Sequence, residues 1–196
     1  MIKIEHDGTV FNVPTSWKEV TLEQFQQIED IELAESLDKD VAFLSVLTGM
    51  TSVQVRNIPA IEFDSLKVIY DFMRNVAPSN TPKLLFTFEG IEYGFRNDVT
   101  KMSTGEYIDC DTLASSENSI QQLHLIMAIM YRPVIEKGDL NKDPTDYVIE
   151  KYNSDSLEKR GKIFKKMTLD IVLSAMVFSQ ALVQTSQECF QGFSVK

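Results

Sequence analysis

An offset of 82 (Phe86 less Ile4) constrains this chain more than any other feature of its sequence. It carries Ile4 to Phe86, Gly8 to Gly90, Phe11 to Tyr93, Val13 to Phe95, Thr21 to Ser103, Phe25 to Tyr107, Leu44 to Ile126 and Leu47 to Ile129, without a gap. The positions held in register are turn glycines, alternating apolar strand residues and helix aromatics. Independent patterns rarely keep a turn and a following helix in one register, so two hairpin-plus-helix units related by internal duplication are expected. An isolated hairpin is marginal in water, so the two hairpins should share a sheet or pack pseudo-symmetrically.

In the first unit, Asp7-Gly8 lies between Ile2, Ile4 and Val10, Phe11, Val13. Both turn positions accept positive φ, which predicts a hairpin over residues 2–13. Val13 to Phe25 joins it to a helix and holds the only Trp, Trp17, which a turn begun by Thr15 or Ser16 can bury. Thr21 is placed as the helix N-cap, with Glu23 and Gln24 in the first turn. Asp38 or Asp40 should cap a second helix that Gly49 stops, and a third is expected from Phe63 to Val76. The second unit repeats the scheme: a hairpin over residues 84–95 turning at Glu89-Gly90, a helix capped by Thr100 or Ser103, and an apolar helix from Ile120 to Met130 ended before Pro133.

After the polar turn Gly138–Pro144, Asp143 is expected to cap a short helix running to Tyr152. A long helix from about Ser156 to Cys189 should close the chain, apolar almost all round from Ile171 to Val183 and therefore buried against several neighbours or another subunit. The expected fold is α+β and mostly helical, a single domain over residues 1–196. Its sub-units are 1–78, 83–153 and a C-terminal helix with tail, 155–196.

The chain has 196 residues with 43% hydrophobic and 10% aromatic content, enough to build a core. Its formal charge of −10 repels phosphate backbones, so direct nucleic-acid binding is disfavoured. The run Ile171–Val183 contains Ser174, Ser179 and Gln180 and is shorter than the ~20 residues of a membrane span, and the polar N-terminus does not resemble a signal peptide. Cys110 and Cys189 lack metal-ligand spacing and read as thiols of a reducing compartment.

No catalytic, cofactor-binding or metal-binding set emerges. Asp139, Asn141, Asp143 and Glu150 imitate a calcium-binding loop, but Pro144 occupies the position where the sharp turn requires Gly. His6 and His124 fit no hydrolase or metal spacing, and a lone core histidine is more often structural. In Asp109-Cys110-Asp111 the flanking carboxylates disfavour a thiolate. Lys159, Arg160, Lys162, Lys165 and Lys166 read as a solvated helix face, or else as a docking strip for an acidic partner or for nucleic acid passing nearby. Phe190 and Phe193 in the polar tail, together with Trp17, are the remaining candidate interaction residues.

At PTSWKEVTLEQF (Pro14–Phe25), followed by FLSVLTG (Phe43–Gly49), the chain resembles small virion-associated proteins of tailed bacteriophages of gut Bacteroidales, including crAss-like phages. The similarity covers mainly the first half, with weaker echoes from Ser103 to Ile108, and the motif carries no catalytic residues. The resemblance implies a non-enzymatic structural part of the virion, a multi-copy ring or connector of portal, neck or tail. Its partners would be the portal, neighbouring ring or tail proteins and further copies of itself, met in the host cytoplasm during assembly. It also admits a cytoplasmic tail assembly chaperone that never enters the particle.

Overall fold

The computed structural model describes residues 1–6, 8–32, 36–70, 72, 79 and 81–176. The fold is α+β with two small antiparallel sheets, one of two strands and one of four. The chain divides into two compact units, Met1–Pro78 with Thr168–Asp170, and Ser79–Met167 with Ile171–Lys196.

In the first unit β1 (Ile2–His6) pairs with β2 (Thr9–Val13), Ile4 opposite Phe11. Gly8 takes φ +73°, which lets a two-residue loop close the hairpin. A single 3-10 turn, Trp17–Glu19, leads to α1 (Leu22–Glu29). Thr21 caps this helix reciprocally: its hydroxyl accepts the Gln24 N–H at 3.2 Å, and its own N–H donates to Gln24 Oε1 at 2.9 Å. The cap of α2 (Leu37–Thr48) is Ser36 rather than Asp38 or Asp40. Both acids instead lie in the first turn, where the helix dipole favours them.

Gly49 ends α2 at φ +76°, and Thr51 caps a short α3 (Ser52–Arg56) that the sequence reading missed. Helix α4 (Ala60–Tyr70) starts directly after Pro59, earlier than the expected Phe63. Val13, Val20, Leu22, Ile28, Val41, Leu44, Leu47, Met50, Val55 and Leu66 are buried and form the core of this unit. Each contributes on the order of 1.5–3 kcal/mol of apolar burial.

In the second unit β3 (Leu85–Phe88) pairs with β4 (Ile91–Phe95), Phe86 opposite Tyr93, and the turn at Glu89 and Gly90 has positive φ at both residues. A 3-10 turn, Val99–Lys101, precedes α5 (Thr104–Ala114), which Ser103 and Glu106 cap as Thr21 and Gln24 cap α1. One further 3-10 turn, Ile120–Gln122, enters α6 (Leu123–Met130), in which Leu123 and Ile126 to Met130 are all buried.

The expected helix ending at Tyr152 is not formed. The chain instead adds β5 (Tyr131–Lys137) and β6 (Tyr147–Ile149), completing the sheet order β3-β4-β5-β6. Asp143 caps a turn rather than a helix, accepting the N–H and hydroxyl of Thr145 at 2.8 and 2.7 Å. Aromatic rings fill the core: Phe86 stacks on Tyr93 with centroids 5.7 Å apart, while Tyr131 meets Phe86 edge-on at 5.0 Å and Phe164 meets Tyr93 at 4.9 Å. The two hairpins lie in different sheets, so the expected shared sheet is not formed.

The long closing helix is interrupted. Helix α7 (Leu157–Phe164) ends at a turn, residues 169–176 are helical again, and the remainder of the expected span lies outside the described residues. No Pro or Gly marks the break. Pairing is the cause: within the first unit Thr168 bridges Thr21, and the Leu169 N–H donates to the Val20 carbonyl at 2.8 Å.

Candidate interface

The two units share an order of elements at the offset of 82 as far as the ends of α2 and α6, and there they part. In the second unit the Arg96 N–H donates to the Met130 carbonyl at 2.7 Å, and from this bond β5 runs back along β4 with Phe95 opposite Tyr131, Gly94 opposite Arg132 and Tyr93 opposite Pro133. In the first unit the residue at the place of Arg96 is Pro14, which has no N–H to give. The residue at the place of Tyr131 is Gly49, whose left-handed conformation turns the chain away toward α3.

The outer edge of β2 therefore has no strand beside it among the described residues. A groove of about 480 Å³ lies along it, between Val10, Phe11 and Asn12 on one side and the α2 terminus, Thr48 and Gly49, on the other. Gln24 lines it too, with its amide donating to the Val46 and Leu47 carbonyls at 3.2 and 3.1 Å.

At the corresponding place in the second unit stands a buried ionic cluster. Glu106, 3% exposed, accepts the Ser103 N–H at 2.9 Å through Oε2, and through Oε1 takes the Arg132 guanidinium and, at 3.4 Å, Arg96 Nε. Arg132 is fully buried and its Nε and Nη1 have no hydrogen-bond partner among the described residues. Burial draws its pKa down to about 10, opposed by Glu106 and aided by Arg96 and Arg160. Both Glu106 oxygens are engaged, so the group orders α5 against β5. Gly94 leaves room for this face of the sheet, because a Cβ there would lie 2.6 Å from Tyr147 Cε2 and 2.7 Å from Ile149 Cγ2.

The basic residues read from the sequence do not act as one strip. Arg160 is buried and structural, donating to the Ala128 carbonyl at 3.1 Å and to Glu150 Oε2 at 2.5 Å. Lys159, Lys162 and Lys166 are exposed, Lys166 lies 3.5 Å from Glu89, and Lys165 is half-buried. Trp17 is half-buried rather than enclosed and packs edge-on against Phe72, with centroids 5.3 Å apart. Phe190, Phe193 and Cys189 lie outside the described residues.

Glu150 is engaged by Arg160, and Asp139 and Asp146 hold the turn between β5 and β6 through the Asn141 and Asp139 N–H groups. Among the described residues no group of three or more His, Cys, Asp or Glu is placed to hold a metal ion. Burial, then Asp111 and Glu106, pushes the Cys110 thiol up to about 11. Burial and then Lys165 hold the His124 imidazole below its ordinary value, against Glu158 and a backbone bond to Gln121. Among the described residues no helix is long and apolar enough to cross a membrane.

The sequence reading missed the groove and the Glu106–Arg132 pair. Pro14 against Arg96 and Gly49 against Tyr131 were the available signals for the groove, both visible once the offset is applied beyond residues of matching character. No protein-family model, no curated protein and no solved structure matches the chain.

Proposed function

We propose that this chain is a non-enzymatic structural component of a tailed bacteriophage particle, present in several copies as a ring or connector part of the portal, neck or tail. The observation that carries the reading is the open edge of β2, which leads into the joint Pro14–Phe25 where the sequence resembles virion-associated phage proteins. Exposed apolar side chains add support, since Ile61, Ile135 and Tyr107 are 84%, 64% and 61% exposed and suit burial against neighbours in an assembly. The matching order of elements at one offset supports descent of the two units from a duplicated hairpin-plus-helix ancestor.

Quantitative mass spectrometry of purified particles tests the location. The chain is expected in fixed stoichiometry with the portal, and its absence from intact particles would remove the ring reading. One observation favours a second reading, a tail assembly chaperone: the groove beside β2 could hold a client segment. That reading predicts abundance in infected cytoplasm and none in the particle.

A further inference from the structure

We infer that the outer edge of β2 is a docking groove for an extended segment of another protein, which adds to the hairpin as a third antiparallel strand. The chain contains its own template for this. In the second unit the same edge, formed by Tyr93, Gly94 and Phe95, is filled by β5, and the matching edge in the first unit, Phe11, Asn12 and Val13, lines the groove or borders it.

The backbone phase agrees. A two-residue loop closes each hairpin, so Thr9, Phe11 and Val13 bond toward β1, and Val10 and Asn12 direct their N–H and C=O groups outward. Arg96 shows the phase directly in the second unit, because its N–H meets Met130 while the Phe95 N–H meets Leu84 on the other side. A row of outward amides beside a groove is the geometry of strand addition, in which main-chain bonds supply affinity and alternate side chains supply selectivity.

The occupant's chemistry follows from one difference. Opposite Gly94 lies Arg132, held by the Glu106 carboxylate, but the residue in Glu106's place in the first unit is Gln24, which offers no charge, and the Glu19 carboxylate that also lines the groove is already taken by the Met1 ammonium and Thr15. The side chain opposite Asn12 should therefore be neutral. A different protein is the expected donor, because every strand among the described residues already has a place in a sheet and a second copy would have to give up a pair.

The test uses the full chain, labelled with 15N, and three synthetic peptides based on Met130–Lys137. The first has Gln in place of Arg132, the second is the same peptide N-methylated at that Gln, and the third keeps Arg. The Gln peptide should shift the Val10 and Asn12 amides saturably, and its N-methylated form should bind at least tenfold more weakly, because the bond to the Asn12 carbonyl is lost. The Arg peptide should also be weaker. Equal binding by the N-methylated peptide, or no saturable shift at Val10 and Asn12, overturns the proposal. So does broadening of those amides with protein concentration alone, which would give the edge to a second copy. Particle location plays no part in this experiment, so its failure is distinct from failure of the ring reading.

Discussion

Replacing Glu106 with Gln should cost more stability than removing the arginine it holds. Gln can still accept the Ser103 N–H, as Gln24 accepts that of Thr21, so Glu106→Gln keeps the helix cap and deletes only the charge. It leaves Arg132, fully buried and already short of partners at Nε and Nη1, without a counter-charge. Breaking a buried pair in this way costs ~3–5 kcal/mol. Arg132→Met is milder, because Glu106 retains the Ser103 N–H and Arg96 at 3.4 Å, and the Met side chain fills part of the space; ~1–3 kcal/mol is expected. The double variant should lie close to Arg132→Met, since the unpaired cation is then gone. Urea unfolding followed by far-UV circular dichroism reads all three, with Trp17 fluorescence reporting separately on the first unit. Additive costs in the double variant, or Arg132→Met costing as much as Glu106→Gln, would refute the reasoning.

Four further outcomes are expected. Gly94→Ala should lose ~1–3 kcal/mol in the same urea assay, as Tyr147 and Ile149 must shift, whereas Gly105→Ala should gain ~0.5–1 kcal/mol, its Cβ lying 3.7 Å from Tyr152 in open contact within a helix. Trp17→Ala should cost ~1.5–3 kcal/mol, below the ~3–5 kcal/mol of a fully enclosed ring; a value in the upper range would mean that the ring is more completely packed than its contact with Phe72. In a Cys189→Ser background, Cys110 should react with iodoacetamide at pH 8 about 100-fold more slowly than an ordinary thiol, because raising the pKa from 9.0 to about 11 reduces the thiolate fraction by that factor. The rate should climb as pH rises toward 11, and ordinary reactivity at pH 8 would show that the thiol is not held in a buried acidic setting.

Local chemistry carried much of the fold into view. Both hairpin turns, the caps at Thr21 and Ser103, and the stop at Gly49 follow from rules confined to a few neighbouring residues. The errors arose where distant pairing overrides local preference. The helix does end at Met130, before Pro133, but the strand that follows and takes Pro133 inside it, with its carbonyl accepting the Glu150 N–H at 2.8 Å, was not legible. Asp143-Pro144 imitates a helix start, but its carboxylate is taken by Thr145 and the chain goes on to form β6. The break before residue 169 depends on Val20, far away in sequence, and Glu106 finds Arg132 only after β5 has paired with β4. Of the candidate residues, Arg160 was legible as basic but not as buried, because its partners Ala128 and Glu150 come from other elements.

Gly49 fixes the valence of its sheet. One left-handed residue at the end of α2 sends the chain to α3 and leaves the β2 side of the hairpin with a bonding capacity of one strand unfilled, while Tyr131 in the matching place continues into β5 and saturates the β4 side. The two hairpins thus differ in valence, one closed by β5 and the other with no third strand among the described residues. Should the proposed strand addition occur, it would be confined to a single side of that hairpin, and the side is set by one backbone dihedral.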